Sequence, residues 1–329
     1  MKSGGERRVM TTVFMEHLSS EEILVRENQE PRRILQDISL LFQSGQTWAV
    51  SGGAAFELSL LLEIMANIKP YGGGRCVLTE RGMMRRKRIV LPHVFYIGST
   101  DMLYENMTVL ELLMLAMRAR KTNLLLLQDA LLELLVAVGC GHISLTPVKL
   151  LNDAEKAAVT LTAACLSDSL LIVLNLPELV FDDALRNALE KLSHKARSDG
   201  KTLVIGTNDD RLVEAACSHT VFISDGAVLF SGAVEDLRRH YDPVELMVRG
   251  DQLEQLARRL TILPAGYSLE LREGVLLILN RGAPTPDGFL HELILKTGII
   301  PEAIEVNPRT VKNAYEELRH RHALQAELL

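Results

Sequence analysis

Residues 47–59 read Thr47-Trp48-Ala49-Val50-Ser51-Gly52-Gly53-Ala54-Ala55-Phe56-Glu57-Leu58-Ser59. The first four make a short apolar strand, and Ser51-Gly52-Gly53 breaks it. From Phe56 to residue 68 the apolar side chains recur at helical spacing, so the stretch predicts a strand, a glycine turn and a helix. The same alternation continues downstream. Residues 170–174 (LLIVL) and 202–206 (TLVIG) are short continuous apolar runs, with helices expected at 182–196 and 211–217. Buried strands alternating with helices imply a mostly parallel sheet covered on both faces, an α/β fold. Upstream, residues 11–14 and 34–41 predict an antiparallel piece. Lys69-Pro70-Tyr71-Gly72-Gly73-Gly74 reads as a hard stop, with strands near 75–79 and 89–97.

Between these parts lie three expected helices, 108–121, 124–138 and 151–166, forming a helical subdomain at about 100–166. Residues 220–224, the turn Asp225-Gly226 and a helix at 233–240 close the first domain. After Tyr241-Asp242-Pro243 the pattern restarts as strand 244–248, helix 252–260, strands 268–271 and 275–279, helix 287–296, strand 303–306 and a helix from 310. This β-α-β-β-α-β order is ferredoxin-like. The expected division is 1–242 and 243–329, which suits 329 residues at roughly 150 per domain.

A hydrophobic fraction of 47% and a charged fraction of 24% exclude a disordered or collagen-like chain. A net charge of −6 gives no support for nucleic-acid binding. The four cysteines, Cys76, Cys140, Cys165 and Cys217, have no metal-like spacing, so free buried thiols in a cytosolic setting are expected. His320 and His322 read as solvated helix surface. The opening MKSGGERR carries no signal-peptide core, and the apolar stretches 58–68, 124–138 and 170–174 are too short or interrupted to span a bilayer. The chain is expected to be soluble by itself. Arg85-Arg86-Lys87-Arg88 is read as a solvated loop edge, with anionic lipid or an acidic partner as the alternative.

The order of landmarks over residues 11–240 resembles the nucleotide-binding domain of ABC transporters. LLLEIMANIKPYGGG (60–74) is similar to the phosphate-loop helix and the turn after it. FYIGSTDMLYENMTVLELL (95–113) resembles the segment around the glutamine loop. LLNDAEKAAVTLTAACLSDSLLIVLNLPELVFDDALRNAL (150–189) resembles the signature helix, the acidic strand and the loop beyond. KTLVIGTNDDRLVEAACSHTVFISDGAVLFSG (201–232) resembles the histidine-switch strand and closing hairpin, and the tail from 244 resembles the small extra domain of exporter ATP-binding subunits. The resemblance implies an ABC-type P-loop fold with a ferredoxin-like accessory domain, ATP and Mg²⁺ as family ligands, a polytopic membrane subunit as partner, and a second ATP-binding domain. On the helix 108–121, Leu110, Leu113, Met114 and Met117 share a face that is core or, by the resemblance, a docking surface for the membrane subunit.

The family chemistry does not carry over residue by residue. A phosphate loop needs glycines whose N–H groups cradle phosphate, a Lys for the β/γ charge and a hydroxyl for Mg²⁺. Here Ser51, Gly52 and Gly53 open the loop, but Phe56 replaces a glycine, Glu57 the Lys and Leu58 the hydroxyl, while Ser59 has a hydroxyl one position late. A carboxylate about 4 Å from a phosphate repels it by roughly 4 kcal/mol at an effective dielectric near 20. The acidic strand ends in Asn175 and Leu176, where Mg²⁺-holding and catalytic carboxylates are expected. Ser99 stands at the glutamine, Asn208 at the switch histidine, and Asn152-Asp153-Ala154-Glu155 in the signature, with carboxylates where a γ-phosphate would dock. Asp182 alone keeps the family residue.

No catalytic residue, metal site or cofactor is therefore expected. The reading is a pseudo-ATPase subunit, exporter-type, peripheral at the cytoplasmic membrane face. The alternatives are a working ATPase with unusual motifs and a non-transport interaction or sensor protein. Leu58 is expected to fill space that nucleotide and metal otherwise occupy. Asp209 and the pair Asp182-Asp183 are expected to start helices.

Overall fold

The computed structural model describes residues 11–24, 31–80, 83–84, 94–102, 104–117, 124–260, 263–281, 288–307 and 309–327. The basic run 85–88 lies outside them. The chain divides into two units, Met1–Ala233 and Val234–Leu329.

In the first unit a six-stranded sheet runs in the order Ala227–Ala233, His219–Ser224, Thr47–Ser51, Thr202–Gly206, Leu171–Asn175, Val94–Ile97. All neighbours are parallel except the first pair, a hairpin closed by Asp225-Gly226. Thr47–Ser51, Leu171–Asn175 and Thr202–Gly206 are buried at every position, which explains their unbroken apolar character. A second sheet, antiparallel, runs Ile38–Phe42, Thr11–Ser20, Tyr71–Glu80, Met83–Met84.

The helix Ala55–Met65 joins the two sheets into one core. Leu58, Leu60, Leu61, Leu62, Ile64 and Met65 are all buried, so the helix is apolar nearly all round, as an enclosed helix must be. One cluster contains these side chains together with Val13, Met15, Ile38 and Leu78 of the antiparallel sheet and Val50, Val173 and Val204 of the parallel one. The helix stops at Ala66, followed by Asn67 in the left-handed region (φ 58°), a common helix exit, three residues before Pro70.

The glycine run 72–74 corrects an expectation. It is no stop, because it lies inside the ten-residue strand Tyr71–Glu80, paired with Thr11–Ser20. The pairing register shifts there between Glu16 and Ser20, and Gly74 takes φ +76° where a Cβ would collide with the carbonyls of Glu16 and His17. Glycine serves an irregular strand crossing here rather than a turn.

The helical segment consists of Val109–Met117, Leu124–Val138 and Asp153–Leu166. Leu110, Leu113 and Met117 are buried, which places that face in the core. Asn152 caps Asp153–Leu166 by accepting from the Glu155 N–H, and Glu155 accepts from the Asn152 N–H. Asp182 and Asp209 cap the helices Asp183–Ser198 and Asp210–Ala216 through Leu185, Arg211 and Leu212.

The second unit has the expected β-α-β-β-α-β order. Its strands Val244–Arg249, Tyr267–Arg272, Val275–Asn280 and Ala303–Val306 pair antiparallel in the order second, third, first, fourth, the ferredoxin-like arrangement. The division falls earlier than the expected 242/243. The helix Val234–Tyr241 belongs to this unit, since Arg321 sits 5.2 Å over the Tyr241 ring. Asp242 accepts from the Thr310 N–H and the Asn307 and Asn313 amides.

All four cysteines are free and buried. Burial pushes the Cys76 and Cys217 thiols up to about 12 and Cys165 up to about 11, and raises Cys140 as well. The thiolate is the reactive form, so the native protein at pH 8 is expected to show no fast reaction with a disulfide reagent, and all four thiols should react in denaturant. A thiol titrated rapidly in the native state would contradict this packing. Leu58 is fully buried in the same core. Leu58→Ser should destabilise the first unit by about 2–4 kcal/mol, combining lost apolar burial with an interior hydroxyl, as measured by chemical denaturation.

Candidate functional site

The parallel strands end together. Gly206 lies opposite Asn175 on one side and Val50 on the other, so Ser51, Asn175 and Gly206 form one carboxyl edge. In open α/β sheets this edge is where ligands are met. The loop 51–54 leads from it into the Ala55–Met65 helix, whose first-turn N–H groups and dipole favour a negative charge.

That negative charge comes from the chain itself. Glu57 is 2% exposed, and its Oε2 accepts the Ala54 N–H at 3.1 Å. Its carboxylate lies so close over Gly53 that a Cβ there would overlap it. Ala54 offers no side-chain cap, and Glu57 takes that part by folding back over the loop.

Arg32 supplies the counter-charge. It stands in the short strand Arg32–Arg33, donates to the Asp225 carbonyl, and reaches the Asp225 carboxylate at 2.9 Å. The same guanidinium lies 3.9 Å from the Glu57 Oε1. Asn208, just beyond the strand Thr202–Gly206, clips the loop from the other side. Its Oδ1 accepts the Gly52 N–H at 2.9 Å, and its Nδ2 donates to the Gly53 carbonyl at 3.3 Å. Gly52 adopts φ +107° beneath Phe222 and Ile223, a conformation and a clearance that only glycine meets.

The remaining expected positions fall as follows. Asn175 is buried, its Nδ2 donates to the Tyr96 hydroxyl at 2.7 Å, and its Oδ1 has no hydrogen-bond partner. Ser59, Phe56, Leu176 and Asp153 line a cleft of about 460 Å³ beside the loop. Ser99 is turned into its own segment, bonded to Asp101. Asp153 accepts from Thr100 at 3.1 Å, which ties the signature position to the glutamine-loop position. Glu155 accepts the Asn152 N–H within the helix cap. Asp182 is likewise a cap. Leu58 is packed in the core, as a buried rather than an exposed loop residue, and does not line the cleft. Arg32 went unnoticed in the sequence because nothing local marks it.

Removing Arg32 leaves the Glu57 carboxylate buried and under-compensated, while removing Glu57 takes away the cap on the Ala54 N–H and leaves Arg32 partly exposed and paired with Asp225. Arg32→Ala is expected to cost about 1–3 kcal/mol, and Glu57→Gln a similar amount. The double variant should cost less than the sum of the two. Additive losses in a denaturation cycle would mean that Arg32 serves only Asp225.

No protein-family profile matches the chain. Among known proteins, the methionine import ATP-binding protein MetN 1 of Lactiplantibacillus plantarum is 22% identical over 208 residues, 62% of this chain and 59% of that protein. The chain thus spans less than two thirds of that relative's length. The Nod factor export ATP-binding protein I of Azorhizobium caulinodans is 21% identical over 281 residues, 82% of each chain. Among solved structures, cbiO1 from Clostridium perfringens, part of the ABC transporter complex cbiONQ, superposes with a TM-score of 0.52 at 17% identity, over 67% of this chain and 88% of that one. An ATP-binding subunit of an ABC transporter gives 0.50 at 20% identity, over 70% and 93%. The chain is thus a relative of the ATP-binding subunits of ABC transporters and has their fold.

Proposed function

We propose that this chain is a non-hydrolysing ATP-binding-type subunit of an ABC transporter, acting structurally or as a regulator on a polytopic membrane subunit at the cytoplasmic face. The observation that carries the reading is the loop filled by its own chain. Glu57 takes the Ala54 N–H and Asn208 takes the Gly52 N–H, two donors of the kind that would otherwise cradle a phosphate. The residues do not fit MgATP. Leu58 offers no hydroxyl, Asn175 and Leu176 no carboxylate, and Asn208 no imidazole. Among the described residues no group of three His, Cys, Asp or Glu side chains could hold a metal ion.

A composite site in an ABC dimer uses one subunit's loop and the other's signature. This chain departs from the family at both, so pairing with an intact second ATP-binding domain would still leave neither composite site with a full set of family motifs. Export is favoured over import by coverage. The Nod factor export relative matches over 281 residues, more than the 233 of the first unit, so its likeness reaches into the second unit. The methionine and zinc import relatives match over 208 and 221 residues. Among the described residues no helix is long and apolar enough to cross a membrane, which suits attachment through a partner.

The purified protein is expected to hydrolyse no ATP above background and to show no rise in melting temperature with millimolar MgATP. Saturable micromolar binding would refute the reading. Glu57→Lys alone should restore no turnover, because groups that act as a unit are not repaired singly, and the new ammonium would face Arg32. Affinity purification from a detergent extract should bring down a polytopic membrane protein.

A further inference from the structure

We infer that two copies of this chain pair through the edge strand Tyr267–Arg272 of the second unit, antiparallel about a two-fold axis at Leu271. The strand stands at one end of that unit's sheet, and among the described residues no other strand lies on its outer side. It runs into a two-residue turn at Glu273 and Gly274, with φ 47° and 77°, closed by the pair Arg272 and Val275. In such a hairpin the closing pair is hydrogen-bonded. The N–H and C=O groups of Ser268 and Glu270 therefore turn inward too, and those of Leu269 and Leu271 turn outward. Two bonds fix the same alternation at the far end of the hairpin. The Arg281 N–H donates across it to the Gly266 carbonyl at 2.9 Å, while the Asn280 N–H donates the other way, to Pro243, at 2.8 Å. Among the described residues, the outward groups of Leu269 and Leu271 have no hydrogen-bond partner.

A bare edge invites another strand, and natural edges are commonly guarded by proline, lysine or a bulge. This one contains neither proline nor lysine, and its pairing carries no register shift. Its charges make it complementary to itself. With Leu271 opposite its own copy, Glu270 of each strand lies opposite Arg272 of the other, at two symmetric places. An axis at Glu270 would set two carboxylates opposite each other, and an axis at Leu269 would leave Glu270 facing Ser268. Opposite charges across a strand pair stabilise it and like charges destabilise it, so the Leu271 axis is selected. Both side chains are accessible, 38% exposed for Glu270 and 67% for Arg272, and their 2.8 Å contact within one strand keeps them on one face. Leu271 adds the apolar part. By alternation it shares a face with Tyr267 and Leu269, which pack on the second unit's core, yet it is 47% exposed. Its own copy covers it in the pair. A two-fold contact of this kind closes on itself and gives a dimer, not a filament.

The test is sedimentation equilibrium of the full chain, without nucleotide, over a range of concentrations. A concentration-dependent dimer is expected. Glu270→Arg sets like charges opposite each other and should raise the dissociation constant by about tenfold or more, as should Arg272→Glu. Mixed in equal amounts, the two variants regain opposite charges at both places, so the mixture should dimerise about as well as the unaltered chain. Leu271→Cys should form a disulfide-linked dimer under mild oxidation. The four native thiols are buried, and hydrogen-bonded antiparallel neighbours hold their Cα atoms about 5.5 Å apart. Ser268→Cys, roughly 20 Å from its copy in this register, should not cross-link. A chain that stays monomeric, its edge left to a strand of some other protein, overturns the inference. So does a dimer that neither charge reversal weakens, or cross-linking that favours Ser268→Cys over Leu271→Cys. None of these readouts involves nucleotide, so MgATP binding would count against the proposed function alone.

Discussion

A glycine loop at the start of an enclosed helix leaves backbone N–H groups pointing into a space that must be filled. Water, a bound anion or the chain itself can fill it, and burial makes the choice consequential. In this protein Glu57 fills it, and much of the local architecture follows from holding that carboxylate. Arg32 brings the strand Arg32–Arg33 over the loop, and its grip on Asp225 carries the closing hairpin with it. Asn208 secures the loop from the end of the central strand. Three segments distant in sequence thus converge on two backbone N–H groups and one buried charge.

The fold was open to reading because its central strands are buried on both faces. Thr47–Ser51, Leu171–Asn175 and Thr202–Gly206 had to be short apolar runs, and runs of that kind between amphipathic helices admit few arrangements. The capping residues Asn152, Asp182 and Asp209 were legible for a similar reason, since a cap acts within three residues of itself. What escaped was decided over long range. Gly72-Gly73-Gly74 carries every local mark of a turn, yet its strand partner lies more than fifty residues upstream and settles its conformation. Arg32 and Asp225 are 193 residues apart, and neither has a neighbour that hints at the other. The helix Val234–Tyr241 is amphipathic, and only Arg321 and the residues around Asp242 assign it to the second unit.

At the site, the residue types missing from the family pattern were visible in the sequence, but their replacements' roles were not. Glu57 read as a repulsive substitute for a lysine. In place, it is a cap and an internal anion, so the same side chain that disfavours phosphate also satisfies the loop. Asn208 read as a lost histidine and proves to be a two-point clip. Leu58 read as filling for the vacated site and is packed in the core. In each case the substitution ties the loop more closely to its own scaffold.

The clip between Asn208 and the loop has a consequence for abundance in the cell. Proteins that bind a metabolite only when folded gain stability in proportion to the logarithm of its concentration, so their folded fraction and lifetime follow the supply of that metabolite. A chain that saturates these loop donors with its own side chains is released from that dependence there. On the function proposed above, the folded fraction of this subunit would not follow the supply of nucleotide. Its amount would then be set by its partner and by synthesis.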